Sequence, residues 1–119
     1  MGVDQEILEV VDEYLAAFNA CDLPRLEKVL KCPLALIGNG EVSISERYFI
    51  DFDKFIAATG WDHSKWDDRR VVQMSDKTAH VAAKASRYRS DGSLIEVVEA
   101  LYVLTKQPGG WKFVGFSLL

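Results

Sequence analysis

The stretch AHVAAKASRYRSDGSLIEVVEALYVLTK, residues 79–106, decides the fold class. Val81, Ala83 and Ala85 alternate with Ala82, Lys84 and Ser86, and the run from Leu94 onward is rich in β-branched residues. Successive side chains of a strand leave opposite faces, so this two-residue period predicts strands. Asp91-Gly92 supplies turn chemistry between them, and two long antiparallel strands are expected, about 79–90 and 94–106. Working outward, 67–74 and 111–118 read as two more. Their joins are Ser75-Asp76-Lys77-Thr78 and Gln107-Pro108-Gly109-Gly110.

The first half of the chain reads differently. Ile7, Leu8, Val11, Tyr14, Leu15 and Phe18 recur at helical spacing, which predicts a helix over about 4–20 with Asp4 as its cap. A second helix is expected from Asp22, with Pro24 in its first turn and Leu23, Leu26, Val29 and Leu30 as its apolar stripe; Pro33 ends it. Residues 34–37 and 41–44 flank Gly38-Asn39-Gly40, the signature of a tight hairpin. Asp51 or Asp53 caps a third helix carrying Phe52, Phe55, Ile56 and Ala57, and Gly60 stops it. Residues 61–66, WDHSKW, read as an aromatic and polar loop. Helices followed by a strand meander indicate an α+β fold in which a curved, mainly antiparallel sheet and its helices enclose a core and a pocket.

At 119 residues the expectation is one domain over 1–119. The net charge is −4, and Arg69-Arg70 is the longest basic run, too little for a phosphate-backbone footprint, so no nucleic-acid partner is expected. No stretch approaches the roughly 18 apolar residues of a membrane span. The first ten residues carry acids where a secretory leader carries basic residues. Two cysteines make no disulfide framework, so a cytoplasmic setting with Cys21 and Cys32 reduced is expected. Neither sits at a recognisable spacing from a histidine base, and no nucleophile is assigned. Phosphate loops, Ser–His–Asp ordering and cysteine zinc patterns are absent from the sequence, and no cofactor is implied.

Residues 14–23, YLAAFNACDL, resemble the first-helix motif of the nuclear transport factor 2-like superfamily, in particular the ketosteroid isomerases and SnoaL-like cyclases. Residues 87–92, RYRSDG, and the order of elements carry the same resemblance. It implies a cone-shaped, cystatin-like fold and a homodimer, and leaves activity open because this fold hosts many functions. In the isomerases a helix-one tyrosine and a protonated carboxyl on a late strand hold the oxyanion. Tyr14 matches the first, and Glu99 lies near the second. The family's general base, an aspartate after the second helix, has no counterpart in residues 33–38, PLALIG; the next carboxylate is Glu41. Proton abstraction needs a base within hydrogen-bond reach, so the match argues against ketosteroid isomerisation as such.

From the residues themselves, Glu99 shares its strand face with Val97, Leu101 and Val103, which places its carboxyl in apolar surroundings. Arg87 shares a core-directed face with Val81, Ala83 and Ala85 and is the expected partner. Whether the two faces coincide depends on the Asp91-Gly92 turn. A three-residue loop with a bulge sets odd residues against odd; a two-residue loop puts Lys84, Ser86 and Tyr88 on the Glu99 side. The apolar pattern favours the first. His63 is the residue type that exchanges protons near neutral pH, and Trp61 and Trp66 would wall a pocket mouth. Asp62, His63, Asp67 and Asp68 match no standard metal spacing. Tyr88 and Tyr102 are expected outward, forming a dimer interface on the sheet with Trp111 and Phe113.

Two functions follow. One is a pocket for a small apolar molecule, walled by Phe18, Trp61, Trp66, Arg87, Leu101 and Phe116, with Tyr14, His63 and Glu99 for proton-transfer chemistry. The other is a non-catalytic ligand-binding or dimerising module, motivated by the missing aspartate.

Overall fold

A computed structural model describes residues 2–119. The chain forms α1 (Val3–Asn19), α2 (Leu23–Glu27), β1 (Leu30–Gly38), β2 (Glu41–Ser45), α3 (Phe52–Thr59), β3 (Trp61–Met74), β4 (Thr78–Arg89), β5 (Leu94–Gln107) and β6 (Gly110–Leu118). The strands make one six-stranded sheet in the order β2-β1-β6-β5-β4-β3, antiparallel except where β1 meets β6. The helices pack on its inner face, and the result is the α+β cone expected from the sequence.

Local chemistry explains most boundaries. Asn39 and Gly40 both take positive φ, 53° and 76°, which closes the β1–β2 hairpin tightly. Asp51 caps α3 by accepting from the Lys54 N–H, and Gly60 ends it at φ 75°. Three boundaries differ from expectation. The cap of α1 is Gly2, and Asp4 sits inside the first turn, where its charge favours the helix dipole. α2 ends at Glu27, because the Val29 carbonyl accepts from Phe113 N–H and Leu30 already pairs with Phe113 in the sheet. Residues 61–66 are strand, not loop: Trp61 pairs with Arg89 and Trp66 with Ala85.

The β3–β4 ladder shifts register three times, between Trp61 and His63, Trp66 and Asp68, and Val71 and Gln73. Each bulge adds a residue to β3, bends it and increases its twist, which curls this end of the sheet over the helices. β1 and β2 pair without a shift.

The inner face holds the core. Val81, Ala83, Ala100, Tyr102, Leu104, Phe113 and Phe116 of the sheet meet Ile7, Val11, Tyr14, Ala17 and Phe18 of α1, all buried. Tyr102, Trp111 and Phe113 therefore correct the expected aromatic interface: they are core residues. Tyr88 does face outward, half-buried against His63.

Candidate functional site

The site implied by the sequence lies where α1 crosses β3, β4 and β5. Helical spacing sets Tyr14 and Phe18 one turn apart on the buried face of α1. Around them the cone is filled by aromatic rings. Tyr14 lies 4.7 Å from Phe113, Phe113 stacks 5.4 Å from Phe116, and Phe18 lies 5.0 Å from Trp61 and 5.1 Å from Phe52 (ring centroids). The Tyr14 and Tyr48 hydroxyls hydrogen-bond each other inside this packing. Burial pushes the phenols of Tyr14 and Tyr48 well up and that of Tyr102 up to about 12, while the nearby Arg87 cation opposes the rise in all three.

What remains open is a cleft of about 40 Å³, lined by Leu15, Phe18, Trp66, Arg87, Val98 and Tyr102 among others. Pockets for drug-sized ligands run to about 300–1,000 Å³, and one water needs roughly 10–15 Å³. The cleft holds a few atoms, not a polycyclic substrate. Elsewhere, an open hollow of about 600 Å³ lies between the α1–α2 corner and residues 47–54; its charged members, Arg47, Asp51, Asp53 and Lys54, are exposed.

Arg87 faces the cone, as its alternation with Ala85 and Ala83 predicts. Its guanidinium lies over the Phe55 ring at 4.8 Å and reaches Glu96 only at 3.5 Å. Trp66 also points inward. Its Nε1–H is buried with no partner among the described residues. Trp61 is packed at the start of β3 and donates through Nε1 to Ser64 Oγ at 2.9 Å.

Three predicted site residues lie on the other face of the sheet. Glu99 is exposed and pairs across the ladder with Lys84; Leu101, 38% exposed, shares that outer face. The reason is a bulge. Tyr88 pairs with Leu94 and Arg87 with Glu96, so Ile95 is an extra residue, and from there odd residues of β4 oppose even residues of β5. Val98, Ala100 and Tyr102 turn inward instead, and the alternative of Lys84, Ser86 and Tyr88 on the Glu99 side is the one realised. His63 is displaced similarly. The bulge after Trp61 turns Ser64 inward and leaves His63 outside, stacked on Tyr88 at 5.2 Å and bonded to Asp62 at 2.8 Å. The structure thus brings together Tyr14, Phe18, Trp61, Trp66, Arg87 and Phe116, and separates them from Glu99, His63 and Leu101. No group of three or more His, Cys, Asp or Glu among the described residues is placed to hold a metal ion.

Two residues of the site escaped the sequence reading. Tyr48 stands in the irregular connection after β2, and only its position beside Phe49 after a polar run marks it. Asn19, the last residue of α1, clips the cone shut: Nδ2 donates to the Ser64 carbonyl at 2.9 Å, and Oδ1 accepts from the Ser64 N–H at 2.8 Å. Asn19→Ala strands both backbone groups in a partly buried place. A loss of about 2–3 kcal/mol in urea unfolding is expected; a loss under about 0.5 kcal/mol would show that water replaces the clip.

Solved structures share this architecture. A ketosteroid isomerase-like protein of Shewanella frigidimarina superposes with a TM-score of 0.76 at 18% identity, over 99% of this chain and 98% of its own. The CaMKII hub of S. rosetta gives 0.74 at 23% identity, over 100% and 97%. An NTF2-like protein with a cystatin-like fold from Novosphingobium aromaticivorans gives 0.74 at 16% identity, over 96% and 79%. At such identities the likeness establishes the cystatin-like architecture and leaves activity open. No curated protein matches the chain in sequence. The motif on α1, the hairpin, and the meander that closes the cone agree with the family comparison, which matches residues 5–118: the chain belongs to the family described as NTF2-like protein (DUF6841).

Proposed function

We propose that this NTF2-like domain, taken as one unit over 1–119, is a non-catalytic module that associates with a second copy of itself through the outer face of its sheet. The observation that carries the reading is a row of residues crossing the whole sheet. Val42, Ile37, Ser117, Leu101, Ala82 and Arg70 stand side by side from β2 to β3. Val42, Ile37 and Leu101 are 73%, 46% and 38% exposed, and Ile44, one step along, is 66% exposed. Contiguous apolar area of this kind marks contact surfaces. Beside it Asp68, Lys84 and Glu99 form a second row, continued by the Arg70–Asp68 ion pair at 2.6 Å. Both signs occur within one patch, so a two-fold copy can set acids against bases.

Proton-transfer chemistry fits less well. It needs a base within reach of a substrate held by Tyr14. Glu99 and His63 lie behind the sheet, and the ionisable groups packed around the cleft are tyrosines and Arg87. A cleft of about 40 Å³ also suits no polyketide or steroid. Among the similar structures one is a hub domain, which favours an associating role, and one is isomerase-like; the missing base supports the associating role. No helix among the described residues is long and apolar enough to cross a membrane, and a cytoplasmic setting with free Cys21 and Cys32 accords with this proposal.

Sedimentation velocity tests it. The wild-type chain is expected at twice the 13.4 kDa of one chain, and Leu101→Glu at the single mass with an unchanged circular dichroism spectrum. A wild-type protein that stays single at high micromolar concentration overturns the proposal.

A further inference from the structure

We propose that the cleft at the mouth of the cone is a binding site for a small monocarboxylate, held by the Arg87 guanidinium and the Trp66 indole N–H with its apolar tail against Phe18 and Leu15. The inference is independent of self-association, since the two surfaces lie on opposite faces of the sheet.

Arg47 and Arg89 lack a carboxylate partner among the described residues but are exposed, whereas Arg87 is half-buried and incompletely paired. Arg25 forks onto Glu13 at 2.6 and 2.8 Å, and Arg69 forks onto Asp12 through Nε and Nη2. Arg87 has five N–H donors, and its one carboxylate contact is the 3.5 Å approach to a half-exposed Glu96. Its side chain is 19% exposed, so the charge is largely out of water without a counter-ion in good geometry. Beside it in the same lining, Trp66 Nε1–H is buried and unpaired. Buried donors in native proteins nearly always have partners; Trp111 Nε1–H, outside the cleft, is a second orphan, and the one that shares its cleft with an underpaired arginine points to an acceptor supplied from outside.

The rest of the lining selects the class of ligand. No acidic residue lines the cleft; its polar members besides Arg87 and Trp66 are the hydroxyls of Tyr14, Tyr102 and Ser64, all able to donate. A planar carboxylate matches the guanidinium fork and carries the single negative charge that one arginine balances. A phosphate dianion would bring more charge than the site compensates. The volume of about 40 Å³ admits a carboxylate head and requires the body to leave through the mouth, along Leu15, Phe18 and Val98.

The test is a titration of the ¹⁵N-labelled protein with sodium butyrate, its uncharged analogue butyramide, and inorganic phosphate. The readout is the three indole N–H signals, from Trp61, Trp66 and Trp111. Butyrate is expected to move the Trp66 signal saturably with a Kd of about 1 mM or tighter, leaving Trp61 and Trp111 nearly unchanged. Butyramide and phosphate are expected to bind at least tenfold more weakly. Arg87→Met is expected to weaken butyrate tenfold or more, and Glu96→Gln, which removes the rival negative charge, to strengthen it severalfold. Equal responses to butyrate and butyramide, or no saturable shift at Trp66 in the wild-type protein, overturn the proposal even if Arg87→Met fails to fold. Repeating the titration on Leu101→Glu separates this outcome from any failure of self-association.

Discussion

Phe18→Ala will lower the unfolding free energy by about 3–5 kcal/mol, the range for truncating a buried phenylalanine. Phe18 is 4% exposed and touches the rings of Tyr14, Phe52, Phe55 and Trp61. Its role is larger than its area suggests. α3 buries none of its residues fully and packs on the core through Phe52 and Phe55, so Phe18 and Trp61 form most of its seat. Urea unfolding measures the global loss. Hydrogen exchange should show amides of α3 opening faster than those of β4 and β5. A loss below about 1 kcal/mol would mean that neighbouring rings collapse into the gap and that α3 is held by other contacts.

The second large effect is alkaline unfolding. Tyr14, Tyr48 and Tyr102 are buried, and desolvation raises each phenol above its ordinary value, in Tyr102 up to about 12. In the unfolded chain each ionises near pH 10. Below that pH both states hold the protons, and the stabilising effect is fully present. Above it the unfolded state binds fewer protons than the folded state, so stability falls as pH rises toward the folded values. Each phenol removes about 1.4 kcal/mol per pH unit in that window, so the three remove roughly 4 kcal/mol per unit. A domain in the lower part of the ordinary stability range, about 5–9 kcal/mol, should therefore unfold cooperatively between about pH 11 and 12.5. In a Tyr88→Phe background, tyrosinate absorbance and loss of far-ultraviolet circular dichroism should rise together. Absorbance reporting all three phenolates while the spectrum stays folded would contradict the burial.

What the sequence disclosed, and what it concealed, divides along one physical line. Features set by local chemistry were legible. The apolar spacing of α1 put Tyr14 and Phe18 inside, Asn39-Gly40 closed a hairpin, and Asp51 and Gly60 bounded α3. Alternation on β4 put Arg87 inward. Features set by register were concealed. β5 is apolar on both faces, with Val97, Leu101 and Val103 on one and Val98, Ala100 and Tyr102 on the other, so pattern alone could not orient it. One extra residue at Ile95 reversed its faces and carried Glu99 out of the cone. A bulge after Trp61 did the same to His63. A bulge changes parity without changing composition, so no residue type announces it. Asn19 and Tyr48 were missed for another reason: each acts through a partner far along the chain, Ser64 and Tyr14.

The two borders of the sheet are unlike. β3, at one end, is bent by three register shifts and studded with charge from Asp62 to Arg70; β2, at the other, is smooth, with Val42 and Ile44 uncovered. Strand-by-strand stacking needs a flat, regular border on each side to propagate. A lateral contact through β2 would use up the regular border of both participants and leave only bent, charged β3 borders, so fibril elongation would have nowhere to continue.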